Sequence, residues 1–181
     1  MPETPVAHQR VLDAAARKGV TLEIVTFPES THTAAEAAAA VGAELGQIVK
    51  SLVFVAPEAD GTLTAYLVLT SGANRVDLQR LAAVVGDVGV RRASAREADE
   101  LTGFSIGGIP PLGHGRPIRV VMDPDLGRYP IVWAAAGTAN AVFAVPPATL
   151  RSLTNATVAP IAEDVADESL QEAPAGNPAG A

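Results

Sequence analysis

Two features of this chain could do chemistry: a lysine at the head of an apolar strand, and a loop rich in glycine and proline. The lysine lies in Gln47-Ile-Val-Lys50-Ser-Leu-Val-Phe-Val55, which reads as a buried β-strand. The chain holds two lysines against eleven arginines, so ordinary surface charge falls to arginine. A cation at the mouth of an apolar strand costs free energy unless it has a partner or a task. Taken alone, Lys50 is also compatible with a side chain that lays its stem on the core and keeps its ammonium in water. The loop runs from Thr102 to Gly115 and packs five glycines and two adjacent prolines into 14 residues. Proline fixes φ, and glycine lets another molecule approach the backbone closely. Phe104, Ile106, Ile109 and Leu112 set this loop apart from a flexible linker. It reads either as a preformed wall whose amides face a ligand or as a structural crossover. An ammonium and backbone N–H groups together can stabilise a phosphate, or a carbonyl becoming an oxyanion. Hydrolysis of an activated ester by water suits that pair, and so does simple binding of an anionic ligand.

Other chemistries lack their residues. The histidines His8, His32 and His114 stand far apart without metal-ligand spacing. His32 precedes a helix cap and reads as a surface or capping residue. No Gly-Lys-Ser/Thr follows the glycine loop, and Pro110-Pro111 occupies the place where a dinucleotide-binding helix would open. There is no Gly-x-Ser-x-Gly elbow, and cysteine is absent.

The elements that must position these residues can be read in order. A helix is predicted over 8–18 and a strand over 21–27. Thr33-Ala-Ala-Glu36 is a capping box that opens a helix to Val41. The Lys50 strand and a second over 63–69 form a hairpin around the 57–61 turn, followed by a polar loop at 70–75. A helix capped by Asp77 runs over 78–85, then a short strand over 88–90. A second capping box, Ser94-Ala-Arg-Glu97, starts a helix to Leu101. Strands are predicted over 118–122, 131–135 and 141–145, with a turn at 123–127. A helix beginning at Pro147 and an apolar run over 157–161 complete the body. Strands outnumber helices and the helices are short, which predicts an α+β domain with a mixed sheet.

Nearly half the residues are apolar, enough for one sizeable core. From Glu163 onward there are five acids and no base, so residues 1–162 carry 13 bases against 15 acids. That composition predicts a nearly neutral domain over 1–162 and an acidic, Ala/Gly/Pro-rich disordered tail over 163–181. It argues against a broad surface that coats nucleic acid, not against a grip on a nucleic-acid end. No apolar run approaches the roughly 18 residues of a membrane span, and no basic-then-apolar leader opens the chain. A cytoplasmic protein is expected.

The lysine strand Gln47-Ile-Val-Lys-Ser-Leu52 and the loop Gly107-Gly-Ile-Pro-Pro-Leu-Gly113, in this order, are similar to the YbaK/EbsC-type aminoacyl-tRNA deacylases. These are free-standing relatives of the editing domain in bacterial prolyl-tRNA synthetases. The resemblance covers about 5–162. It implies a mixed, barrel-like β-sheet flanked by short helices. It also implies hydrolysis of the ester between a wrong amino acid and the tRNA 3′ end, with no metal or organic cofactor. Mischarged tRNA, with tRNA(Pro) foremost, is the implied substrate, and prolyl-tRNA synthetase is a partner left open. By carry-over, Lys50 holds the substrate near the terminal phosphate or the scissile carbonyl. Gly107 and Pro111 shape the wall, and backbone groups near Gly107 and Gly108 orient the aminoacyl group or the water. His114 is a candidate for orienting substrate or water. The cysteinyl-tRNA deacylase branch carries a serine and an aspartate where this chain has Ala135 and Val142, so cysteine specificity is not carried over. The turn around Gly137 and Thr138 then lines a small pocket, with Thr138 or Asn140 as its polar group. A binding module that holds an aminoacyl-tRNA end without turning it over is the alternative.

Overall fold

A computed structural model of the protein describes residues 4–165. Among the described residues, five α-helices and eight strands follow in this order: α1 Val6–Ala16, β1 Ile24–Thr26, α2 Ala34–Val41, β2 Ile48–Pro57, β3 Leu63–Ser71, α3 Leu78–Val85, β4 Arg91–Arg92, α4 Ala95–Thr102, β5 Arg119–Met122, β6 Val132–Ala135, β7 Ala141–Val145, α5 Pro147–Thr154 and β8 Thr157–Val158. Helices α2, α3 and α4 start where short polar side chains cap them, while α1 and α5 follow Pro5 and Pro146. Thr33 and Glu36 form one reciprocal box and Ser94 and Glu97 another, while the Asp77 carboxylate accepts from Gln79 N and Arg80 N. Gly42, Gly86 and Gly103 close α2, α3 and α4 in the left-handed conformation that glycine adopts without a Cβ penalty.

The strands make one mixed sheet in the order β1-β7-β6-β2-β3-β5-β8. β2 is its centre. It pairs antiparallel with β3 from Val49↔Ser71 to Pro57↔Leu63. Its other edge is shared: β6 runs parallel to Ile48 and Val49, and β4 runs antiparallel to Phe54 and Val55. Both faces of β2 are covered, which explains why its sequence is apolar apart from Lys50 and Ser51. Val49, Val53 and Val55 join the larger core with Leu67, Leu69 and Phe143, while Phe54 packs with Tyr66, Leu81 and Ile161 on the opposite face. These observations bear out the α+β class and the mixed sheet.

Most boundaries shift by one or two residues, as where α1, read as 8–18, spans Val6–Ala16, and some stretches differ more. Residues 88–90 are not a strand: Gly86 and Gly89 turn the chain, Val88 is exposed, and pairing begins only at Arg91. The strand predicted over 21–27 is regular only over Ile24–Thr26, where β7 supplies partners. The 157–161 run pairs as a strand only at Thr157–Val158, although Ala159 and Ile161 remain buried. Of the predicted 163–181 tail, Glu163 N–H donates to the Arg75 carbonyl and Asp164 pairs with Arg80 at 2.7 Å. Positions 166–181 lie outside the described residues.

Candidate active site

The fork in the sheet makes the site. Between the β6 contact at Val49 and the β4 contact at Phe54, the edge of β2 has no neighbouring strand, and a cavity of about 240 Å³ opens there. Residues 48–53 line it continuously, as expected when a strand presents its edge as well as its side chains. Arg92, Gly107, Ala135 and Thr138 close it from β4, the glycine loop, β6 and the β6–β7 turn.

Lys50 is half-buried and its Nζ donates to the Asn74 carbonyl. Burial pushes its pKa down, repulsion from Arg75 and Arg92 adds to this, and Asp123 opposes them. A fixed network stands behind the lysine. Asp123, buried and 1% exposed, accepts from Thr70 Oγ1, Ser71 N and Asn74 Nδ2 at 3.1, 3.1 and 2.8 Å. Asn74 Nδ2 also donates to Asp125 Oδ2 at 2.8 Å. Both hydrogens on the Asn74 side-chain amide are thus directed, which anchors the residue whose backbone carbonyl receives Lys50. The sequence marked 70–75 and 123–127 only as a loop and a turn. Nothing in their spacing said that they meet.

The glycine loop is a rigid insert rather than a crossover strap. Phe104, Ile109 and Leu112 are buried in the main core. Arg10 of α1 ties the two ends of the loop together, donating to Gly103 O and Gly113 O, each at 3.0 Å, with its guanidinium 4.0 Å from the centre of the Phe104 ring. His114 Nε2 lies 2.8 Å from Pro110 O, which can only accept, so this nitrogen carries the proton. Burial lowers the His114 pKa, with the Arg10 charge adding to the effect and the Pro110 bond opposing it. Gly107, at φ +97°, faces the cavity, and only a residue without Cβ takes that conformation freely. Gly108 lies beneath it: an added Cβ would sit 2.7 Å from Thr138 Cα. The two loops therefore meet backbone against backbone.

The β6–β7 turn is pinned from its other side. An added Cβ on Gly137, at φ +103°, would lie 2.9 Å from Ala7 O of α1. Thr138 Oγ1 donates to Asn140 Oδ1 at 2.9 Å and lies 2.8 Å from His8 Nε2, which therefore donates to it. Asn140 Nδ2 donates to Phe27 O at 3.1 Å. His8, 5% exposed, has its pKa lowered by burial.

Of the residues singled out in the sequence, Lys50, Gly107 and Thr138 come together on one cavity. Gly108 and Gly137 set the spacing of its walls from behind. Thr138 contributes shape, because its hydroxyl is already engaged by His8 and Asn140. Asn140, Pro111 and His114 do not line the cavity: Asn140 braces the turn, Pro111 is buried within the loop, and His114 bonds back to its own loop. Ala135 and Val142, cross-strand partners, both line it. His32 is also among the lining residues, while its N–H donates to Glu36 Oε2 at 2.6 Å. Sequence reasoning missed Asn74, Asp123 and His8. The only hint of the last was a histidine on the helix face that carries Val11 and Ala15.

Among the described residues no acidic side chain lines the cavity, and Lys50 and Arg92 make it positive. That arrangement attracts an anion and stabilises negative charge developing on a bound ester. Among the described residues, no group of three or more His, Asp or Glu side chains could hold a metal ion, and no helix is long and apolar enough to cross a membrane.

The profile of the aminoacyl-tRNA editing domain family matches residues 28–153. The chain is 32% identical over 126 residues to the multifunctional Ser/Thr-tRNA deacylase ProXp-y of Escherichia coli K12, covering 70% of this chain and 74% of that protein. It is 28% identical over 131 residues to EbsC of Enterococcus faecalis, a candidate Cys-tRNA(Pro)/Cys-tRNA(Cys) deacylase, covering 72% and 77%. A solved structure described as a candidate trans-editing enzyme for prolyl-tRNA synthetase superposes with a TM-score of 0.81 at 48% identity, covering 90% of this chain and all of that one.

Proposed function

This chain belongs to the aminoacyl-tRNA editing domain family, whose members hydrolyse the ester of an aminoacyl-tRNA, and we propose that it clears a small noncognate amino acid from tRNA(Pro) in trans. The observation that carries this reading is the meeting of Lys50 and Gly107 on a small cavity whose wall is mostly apolar, with Thr33, Ser51 and Thr138 among its polar residues. A cavity of about 240 Å³ suits a short side chain and its ester. Ala93, Ala98, Ala135 and Ala141 offer no side-chain hydrogen bonds, so the part of the wall they form selects by size. The tRNA(Pro) assignment is supported by the likeness to the trans-editing structure. A further likeness, 30% identity over 95 residues to part of the proline–tRNA ligase of Limosilactobacillus fermentum, points the same way.

In this reading Lys50 and Arg92 receive the phosphate of the terminal adenosine. The aminoacyl group enters between the glycine loop and β6. Lys50, held by Asn74, lies close enough to offset charge on the ester as water attacks. The depressed pKa of Lys50 is the cost of keeping a cation half-buried for that task.

The test is deacylation of tRNA(Pro) charged in turn with Ala, Ser, Thr, Cys and Pro, by wild type and by Lys50→Ala. Hydrolysis of one or more small noncognate esters, with Pro spared and the variant inactive, is expected. Hydrolysis of none, or equal activity in the variant, would overturn the assignment.

A further inference from the structure

Ser51 sits at the rung where the sheet comes apart. Along a strand, successive residues turn their backbone N–H and C=O to opposite edges. Ile48 C=O accepts from Gly72 N at 2.7 Å, so Ile48, Lys50 and Leu52 turn toward β3. Val53 C=O accepts from Ala93 N at 3.0 Å, so Val49, Ser51 and Val53 turn toward the forked edge. Pairing with β6 ends at Val49↔Ala134, and β4 pairs from Phe54. Ser51 lies between them, its N–H and C=O directed at the cavity that it lines. The same alternation fixes β6: Ala136 N donates to Ala141 O at 2.9 Å, so Ala134 and Ala136 turn toward β7 and Ala135 turns toward β2. Continuing the ladder, Ser51 N–H would donate to Ala135 C=O. That rung is not formed, and both residues line the cavity instead.

An unpaired strand edge at a cavity wall is a hydrogen-bonding template already held in place by the rest of the sheet. We propose that the opened Ser51–Ala135 rung clamps the aminoacyl group, Ser51 N–H donating to the ester carbonyl oxygen and Ala135 C=O accepting from the α-ammonium. This rests on the deacylase reading above. Water adds its oxygen to the carbonyl carbon, and the carbonyl oxygen takes up the negative charge facing Ser51 N–H. The carbon–oxygen bond to the ribose then breaks with its electron pair on the ribose oxygen. That oxygen takes one proton derived from the water, and the amino acid leaves as its carboxylate with the other proton passing to solvent. The clamp uses backbone groups common to all amino acids. It therefore holds the part that every aminoacyl ester shares and leaves the alanine-lined wall to measure the side chain.

The Ser51 side chain has no part in the clamp. Its Oγ is buried without a hydrogen-bond partner among the described residues. Two replacements at position 51 therefore separate backbone from side chain. Ser51→Ala keeps the N–H and is the reference against which loss of the N–H is read. Replacing Ser51 by its α-hydroxy acid analogue keeps the side chain but turns the N–H into an ester oxygen. It should lower kcat about a hundredfold, the effect of losing one oxyanion donor. A loss below tenfold, or a greater loss in Ser51→Ala than in the ester variant, overturns the clamp. A measurement that needs no variant is the Ser51 amide proton shift on adding 3′-alanylamino-3′-deoxyadenosine, which cannot be hydrolysed as an ester. A downfield shift confined to the cavity supports the clamp, and an unmoved Ser51 amide in the bound state overturns it. If wild type hydrolyses no ester, the deacylase assignment fails, while the amide shift still decides whether the rung binds an aminoacyl group.

Discussion

Gly108 rests its Cα directly on the backbone of Thr138, so closely that a Cβ there would lie 2.7 Å from both Thr138 Cα and Thr138 C and 2.9 Å from its N. This contact sets the distance between the glycine loop and the β6–β7 turn, and with it the width of the cavity. Gly108→Ala cannot be absorbed by a flexible side chain, because backbone stands in the way. It should destabilise the protein by about 1–3 kcal/mol, the usual cost of overpacking, and lower kcat/KM by widening the site. Gly107→Ala meets only Ala139 Cβ at 3.8 Å and carries a different burden, its φ of +97°. Thermal melts and deacylation rates of both variants check this. Wild-type stability in Gly108→Ala would sink the account of the loop contact.

Lys50 separates stability from activity. Burial and the neighbouring Arg75 and Arg92 charges hold its pKa down, so the charged form is less favoured in the folded protein than in the unfolded chain. Lys50→Met fits the same stem and removes the buried charge. It should melt at or above the wild-type temperature while losing hydrolysis about a hundredfold or more, as expected for an electrostatic contribution of this kind. A marked drop in melting temperature would show that the bond to Asn74 outweighs desolvation.

His8 and His114 give stability a defined pH dependence. Both have folded-state pKa values below their ordinary 6.5, chiefly through burial. The unfolded chain therefore binds protons that the folded protein refuses. Their contribution is fully present above about pH 6.5 and is lost as pH falls through 6.5 toward the folded-state values. Melting temperatures between about pH 7.5 and pH 5.5 should decline, and more gently in His8→Gln, whose amide can still donate to Thr138. The same slope in a variant lacking both histidines would assign the decline to other groups.

Ala135 lies opposite Val142 across β6 and β7, and both side chains meet the cavity. Ala135→Val adds two methyl groups to one wall. Hydrolysis of a threonyl ester should fall relative to an alanyl ester by about tenfold or more, the low end of what even one methylene gives in an apolar pocket. A parallel loss on both esters would indicate general damage rather than a size filter.

The sequence by itself determined the parts. Capping boxes at Thr33–Glu36 and Ser94–Glu97 placed helix starts, a largely apolar run marked β2 as a buried strand, and glycine with proline marked a stiff loop at 102–115. These signals are local, so they survive in one dimension. The order of Lys50 and the Gly107–Pro111 loop also carried the family resemblance, which the profile match bears out. Tertiary structure decided which polar groups face the cavity. Thr138 and Asn140 looked available, but their polar groups are engaged by His8 and Phe27 from distant parts of the chain. Asp123 and Asn74 looked like turn residues, yet they form the support behind Lys50. The forked edge of β2 was invisible for the same reason. Which strands pair with β2, and where they leave it, depends on contacts between residues far apart in sequence, and no local pattern of residue types records where a ladder ends.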